Sequence, residues 1–302
     1  MNQVEKIDNF EVVTLKNDIC QIKIVPELGM KIISLKNEKS SREWMWSAKN
    51  PNQIFENDPL DPFELSPLIG ADECLPTIDP CEINGVEMGD HGLVWSKKCD
   101  YSLNEKEIIC TADLEQIKMK FKRTISLSGP AIQFKYELQN MSSNKQPYIW
   151  AFHPLFNIQE HDHWSYDGVW GSFLCTSSKN IQGVSRGSNI RVNDLKGFLK
   201  MNIRNGEKDN YFIKGFFTND SQTMIEIKNK DTNDSLIFDY KNIPFTGIWL
   251  TRGGWNNYHH IVIEPSNACY ESLSEVSVDS EETSTLQPHE TREWEFSIKL
   301  SN

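Results

Sequence analysis

Apolar and polar residues alternate with period two through most of this chain, and no long stretch shows helical period. These two observations predict an all-β protein of two large antiparallel sheets packed face to face. A third is the supply of core material: of 302 residues, 38% are hydrophobic and 11% aromatic, enough to fill the space between two such sheets. No shift in composition marks a linker, and both the first and last strands need partners. One domain over residues 1–302 is therefore expected.

The elements follow in order. Ile22 and Ile24, then Ile33 and Leu35, set the period near the start, and residues 107–112 continue it. Ile117, Met119, Phe121, Ile125 and Leu127 share one face of the next strand, with Lys118, Lys120 and Lys122 on the other. Ser128-Gly129-Pro130 turns the chain, and Ile132, Phe134, Tyr136 and Leu138 complete a hairpin. Further strands are expected over residues 223–228, 236–240, 246–250 and 260–264, and Trp294, Phe296, Ile298 and Leu300 form the last. The polar stretches 177–193 and 279–285 suit loops. Short helical turns fit residues 51–57 and 270–276.

The net charge is −12, which disfavours nucleic acid and anionic membrane, since phosphate binding needs clustered Lys and Arg. No apolar run reaches the ~20 residues of a membrane-spanning helix. The first six residues carry no basic-then-apolar signal pattern. Seven scattered cysteines without a CxxC pair suit free thiols in a reducing cytoplasm. A monomer or homodimer is expected.

Three stretches place a proton donor or acceptor beside a turn or a rigid proline: Asp90-His91-Gly92, Phe152-His153-Pro154-Leu155-Phe156 and Ile263-Glu264-Pro265. Each borders an apolar β-type run, where a core can hold the polar group still at the rim of a sheet. Two imidazoles and a carboxylate suit metal-free acid–base work on a polyol. Changing the anomeric configuration of a sugar needs a base for the anomeric hydroxyl and an acid for the ring oxygen. Glu264, after Ile261-Val262-Ile263, suits the base, because partial burial lifts a carboxylate toward working pH. His153 suits the acid and His91 an assisting role.

These stretches resemble, in order, the signatures of the aldose 1-epimerases (galactose mutarotases). Pro26-Glu27-Leu28-Gly29-Met30-Lys31-Ile32-Ile33-Ser34-Leu35 is similar to the family's N-terminal hairpin, and Arg42-Glu43-Trp44-Met45-Trp46 to the segment after it. The resemblance covers about residues 10–300. It implies a β-supersandwich with a sugar in an open cleft on one sheet, His153 as acid, Glu264 as base, His91 assisting and no cofactor. The chain departs from the family before the first His motif, where Gly70-Ala71-Asp72-Glu73-Cys74-Leu75-Pro76 replaces an Asn-Arg pair. The family's central Asp has only Asp209 as a weak counterpart. Asp72 and Glu73 are expected at the cleft's edge as acceptors for hydroxyls, with Lys31, Trp249 and Arg252 as further substrate contacts. Of Trp249, Trp255, Trp164 and Trp46, one is expected to stack on a sugar face and the rest to be core.

Other readings compete with this one. His161 and His163 could chelate a metal, but no clear third ligand follows. His259 and His260 point to opposite faces of a strand and cannot chelate together, so no metal is expected. A phosphosugar or sulfosugar epimerase would need a cationic pocket, for which Lys31, Arg42 and Arg252 are the available members. A carbohydrate-binding protein without activity is the reading from another class.

Overall fold

The computed structural model describes residues 2–48, 54–56, 58–167, 172–191, 210–218, 222–277 and 284–301. Among these there is no α-helix, only three single 3₁₀ turns. No helix among the described residues is long and apolar enough to cross a membrane.

Eleven strands form the larger sheet. From one edge they run Gln3–Ile7, Phe10–Lys16, Cys20–Val25, Lys31–Asn37, Ala71–Cys74 and Ala151–Asn157, then His259–Ser266, Phe245–Arg252, Tyr211–Thr218, Ser172–Lys179 and Asn189–Arg191. The second sheet has eight, in the order Asp162–Asp167, Gln222–Asn229, Ser235–Lys241, Thr291–Ser301, Ala131–Asn140, Met119–Ser128, Glu107–Leu114 and Asp100–Leu103. Every strand pair in both sheets is antiparallel. The expected all-β class is therefore observed.

The main core lies between the two sheets, and period-two alternation builds it. On Met119–Ser128, Met119, Phe121 and Ile125 point inward while Lys120 stays exposed. Phe134 and Phe296, paired across strands, stack at 4.6 Å between ring centroids. Ile117 belongs not to this strand but to the 3₁₀ turn Glu115–Ile117, which ends at a left-handed Lys118. The expected turn near 270–276 is the 3₁₀ turn Leu273–Glu275, capped by Ser272 and Glu275. The expected loop 177–193 starts inside the strand Ser172–Lys179 and includes the strand Asn189–Arg191; residues 192–193 lie outside the described residues. Residues 54–56 are not helical; residues 51–53 and 57 lie outside the described residues, as do residues 279–283.

One residue of the inward face is charged. Arg123 is fully buried, and so is Glu73 on the facing sheet. The Arg123 Nη1 donates to Glu73 Oε1 at 2.7 Å, and its Nη2 donates to the Met30 carbonyl. Tyr136 and the Trp150 indole donate to the two Glu73 oxygens at 2.9 and 2.8 Å. Glu73 thus lies on the opposite side of the sheet from the cleft described below. Neighbouring residues on a strand point to opposite faces, so Asp72 and Glu73 cannot share one. The expectation that both lie at the cleft's edge is corrected for Glu73. Glu73→Gln leaves Arg123 buried without its counter-charge. Urea unfolding is expected to show a loss of about 3–5 kcal/mol, and Glu73→Gln combined with Arg123→Met less than the sum of the single losses. An unchanged midpoint would mean that the pair contributes nothing.

Candidate functional site

Four central strands of the larger sheet present one face to the second sheet and the other to a cleft. Phe152, Ile213, Ile248 and Ile263 lie in the core between the sheets. The next residue of each strand, His153, Lys214, Trp249 and Glu264, points the opposite way. The cleft holds about 300 Å³ and is lined by His91, His153, Lys214, Trp249, Trp255, Phe63, Asp79, Asp90, Thr176 and Glu271, among others. Glu264 lies on the same face of the sheet, level with His153 and buried beside the cleft.

Register brings three of the expected residues side by side. His153 pairs with Asp72 on one side. On the other, the pairs Ala151–Ser266 and Leu155–Val262 place His153 level with Glu264. Between those two pairs the ladder lapses. Pro154 and Pro265 lie in this interval and have no N–H to donate, and each holds the residue before it in extended conformation. On its far side Glu264 pairs with Gly247. A Cβ at Gly247 would lie 2.7 Å from Glu264 Oε2, so the glycine makes room for the carboxyl group.

His91 arrives from a turn rather than a strand. His91 and Gly92 both have positive φ, +60° and +72°. A Cβ at Gly92 would meet the Leu75 carbonyl oxygen at 2.5 Å, which is why glycine follows the histidine. The His91 ring stacks on Phe63 at 4.4 Å and meets the His153 ring edge-on at 4.7 Å. Asp90 accepts the Phe63 N–H at 3.1 Å, fixing the ring that covers His91.

His91, His153 and Glu264 are buried and largely unpartnered. His91 is 3%, His153 2% and Glu264 1% exposed. Both His91 nitrogens, His153 Nδ1 and Glu264 Oε1 have no hydrogen-bond partner among the described residues. Burial drives both imidazoles well below their ordinary value; Lys214 and Lys31 act on each in the same direction, and His91 acts likewise on His153. Burial raises the Glu264 carboxyl to about 8; Lys214 opposes the rise while Glu271 and Asp79 add to it. At neutral pH the carboxyl therefore holds a proton, with both imidazoles neutral. Sequence reasoning foresaw the direction for Glu264 but not that its proton would be retained.

The other expected contacts divide. Trp249 lines the cleft 5.9 Å from His153, and Trp255 packs on it at 4.9 Å. Asp72 lies on the cleft side of the sheet, but its Oδ2 accepts from the Lys31 ammonium at 2.7 Å and its Oδ1 lies 2.6 Å from the same ammonium. Lys31 and Asp72 thus form a buried pair under His153, not an open edge. Arg252 is buried and out of phase with Trp249 on its strand, and does not line the cleft. Arg42 forks onto Asp162 at 3.0 and 2.6 Å, away from the cleft. Trp164 lies on the strand Asp162–Asp167 of the second sheet, and Trp46 packs against Tyr258 and His260. Asp209 lies outside the described residues.

His260 is buried among Trp46, Trp249 and Trp255, whereas His259 is exposed, on the opposite face. The His161 ring contacts Asp231 at 2.5 Å at the surface. No cluster of three or more metal-ligating side chains occurs among the described residues.

Lys214, Glu271, Asp79, Thr176 and Phe63 were not singled out from the sequence. Lys214 donates to Glu271 Oε2 at 2.7 Å, and Thr176 donates to the other oxygen. One signal was available for Lys214: a lysine inside the apolar run Phe212-Ile213-Lys214-Gly215-Phe216-Phe217. Gly247 inside a strand was another.

No protein-family model matches the chain, and no curated protein matches it. Solved structures do. A galactose mutarotase-like protein from Clostridium acetobutylicum is 15% identical over 100% of this chain and 98% of its own, with a TM-score of 0.73. A galactose mutarotase related enzyme from Lactobacillus acidophilus is 16% identical over 96% and 97%, with a TM-score of 0.69. A galactose mutarotase-like protein from Lactobacillus casei is 15% identical over 96% and 100%, with a TM-score of 0.67. At these identities the likeness is one of fold. The chain has the galactose mutarotase-like fold, as its motifs implied.

The protonation state is open to direct test. With carbon-13 in the Glu side-chain carboxyls and Glu264→Gln to assign the signal, Glu264 is expected to titrate near pH 8. A midpoint in the ordinary carboxylate range would mean that the carboxyl is solvated.

Proposed function

We propose that the chain is an aldose 1-epimerase, interconverting the anomers of a sugar by acid–base ring opening. The observation that carries this reading is the row of unpartnered groups on one sheet face: His91 above, His153 and Glu264 side by side, and Trp249 beside them. Glu264, once ionised, takes the proton of the anomeric hydroxyl. His153 gives a proton to the ring oxygen, and the C1–O5 bond breaks to leave an open-chain aldehyde. Rotation about C1–C2 and the reverse transfers close the ring as the other anomer. His91, stacked on Phe63, orients the ring oxygen against His153. Trp249 and Trp255 offer an apolar face to the sugar.

A free sugar suits this cleft better than one bearing phosphate or sulfate. Of the cations expected for an anionic group, Lys31 is bound to Asp72, Arg42 to Asp162, and Arg252 does not line the cleft. Lys214 and Arg186 do line it, but Lys214 is bound to Glu271 and Arg186 lies 4.0 Å from Glu275, and the lining carboxylates Glu64, Asp79, Asp90 and Glu271 outnumber the two cations. Both sheets contribute to one core, which supports reading residues 1–302 as one domain.

The resting proton on Glu264 makes the pH dependence specific. The reactive form carries that same proton on His153. Resting and reactive forms have equal proton counts, so kcat/KM is flat while the single proton is retained. It is expected to fall as pH rises through about 8, where the Glu264 carboxyl gives the proton up. A rate that rises through this range would mean that Glu264 acts as base without His153 as acid. Glu264→Gln and His153→Asn are each expected to lower kcat by about 10²- to 10⁴-fold with little change in KM. Anomer exchange followed by NMR over a panel of aldoses is the assay. Wild-type exchange no faster than buffer for every sugar would overturn the reading in favour of a binding protein.

A further inference from the structure

Lys214 stands at the centre of the cleft's charge. Its backbone pairs with Ser177 on one side and Trp249 on the other, and its side chain is 17% exposed. Its ammonium donates to Glu271 at 2.7 Å. Glu271 is itself fixed: Thr176 donates to its second oxygen, and its backbone carbonyl accepts the Ile78 and Asp79 N–H groups at 3.0 and 2.7 Å. A lysine held this way cannot turn away from the cleft, and its charge reaches His91, His153 and Glu264 together.

We propose that Lys214 is a positioning residue of the cleft: locked by Glu271, its ammonium sets the pH at which Glu264 and His153 surrender the proton they exchange. This rests on the reading of Glu264 and His153 as the acid–base pair. The groups that face Glu264 come from four elements. They are Lys214 on Tyr211–Thr218, Glu271 after Glu264's own strand, Asp79 after Ala71–Cys74, and His153 on Ala151–Asn157, with the Cys74 thiol also near. Of these groups, Lys214 carries the positive charge. Burial works against its charge, but Glu271, Glu264 and Asp79 together hold the ammonium above its ordinary value, so it stays charged across the working range. Asp79 is raised to about 6 by burial and by Glu271 beside it, so it too is ionised near pH 8. The local balance at Glu264 is therefore one cation against two carboxylates, and removing either partner of the Lys214–Glu271 pair shifts it in opposite directions.

The opposite signs are the test. In the full-length protein, the Glu264 carboxyl titration is followed by carbon-13 NMR and the alkaline limb of kcat/KM by anomer exchange. Lys214→Met is expected to move both upward by about one unit, the order of effect that loss of a nearby opposite charge has at a buried carboxyl. Glu271→Gln is expected to move both downward. Lys214→Arg keeps the pair and should stay near wild type, which separates loss of charge from loss of packing. Shifts of the same sign in Lys214→Met and Glu271→Gln, or no shift in either, would overturn the proposal. If Lys214→Met does not fold, Glu271→Gln against Lys214→Arg still decides, since only a downward shift in the first agrees with it. The NMR titration needs no turnover. A protein with the expected titration shifts but no anomer exchange would therefore fail the functional reading while leaving the role of Lys214 standing.

Discussion

The ion pair between Glu73 and Arg123 is the constraint on which the arrangement turns. It is the point where the two sheets touch through charge, with Tyr136, Trp150 and the Met30 carbonyl completing the shell. A pair so buried adds little net stability compared with apolar residues of the same volume, but it tolerates only one geometry. That geometry fixes the strand Ala71–Cys74 in phase. With Glu73 turned to the core, Asp72 must turn to the cleft side, where Lys31 meets it beneath His153. A slip of one residue would put Glu73 beside the histidines and leave Arg123 facing an aspartate too short to reach.

Desolvation is the second organising force. Phe63, Trp95 and Trp249 cover the two histidines, and Gly247 lets Glu264 sink against its neighbouring strand. The same burial pushes the imidazoles and the carboxyl in opposite directions, since it always favours the neutral form. The outcome is a site whose resting state is uncharged at its reactive atoms, with the ionic groups one layer further out, in the pairs Lys31–Asp72 and Lys214–Glu271. Under the proposed function, such a site would take up a neutral polyol without first stripping water from a bare ion.

Much of this was legible in the sequence because strands write their faces in alternate letters. The hairpin through Ser128-Gly129-Pro130 and the last strand follow from period two, whereas the meeting of His153 and Glu264 was expected only from the family resemblance. Asp72-Glu73 was misread by treating neighbours as partners, though the same period says they diverge. Arg123 was hidden among the apolar residues whose face it shares, and no local signal distinguishes a charge bound for a partner fifty positions away. Lys214 and Glu271 meet only because the sheet order brings Tyr211–Thr218 next to Phe245–Arg252 and beside the chain that leaves His259–Ser266. That order is a long-range property that a single sequence does not display.

The one-residue offset between Phe152, Ile213, Ile248 and Ile263 and the cleft residues that follow them has an evolutionary consequence. Every second position on these strands answers to packing and every other one to chemistry, so the two selections act on separate residues. Substitution at 214 or 249 changes the lining of the cleft without disturbing the interior at the neighbouring position. A fold divided in this way can change what it handles many times over while its framework is kept, and relatives would share architecture at identities where little else is recognisable.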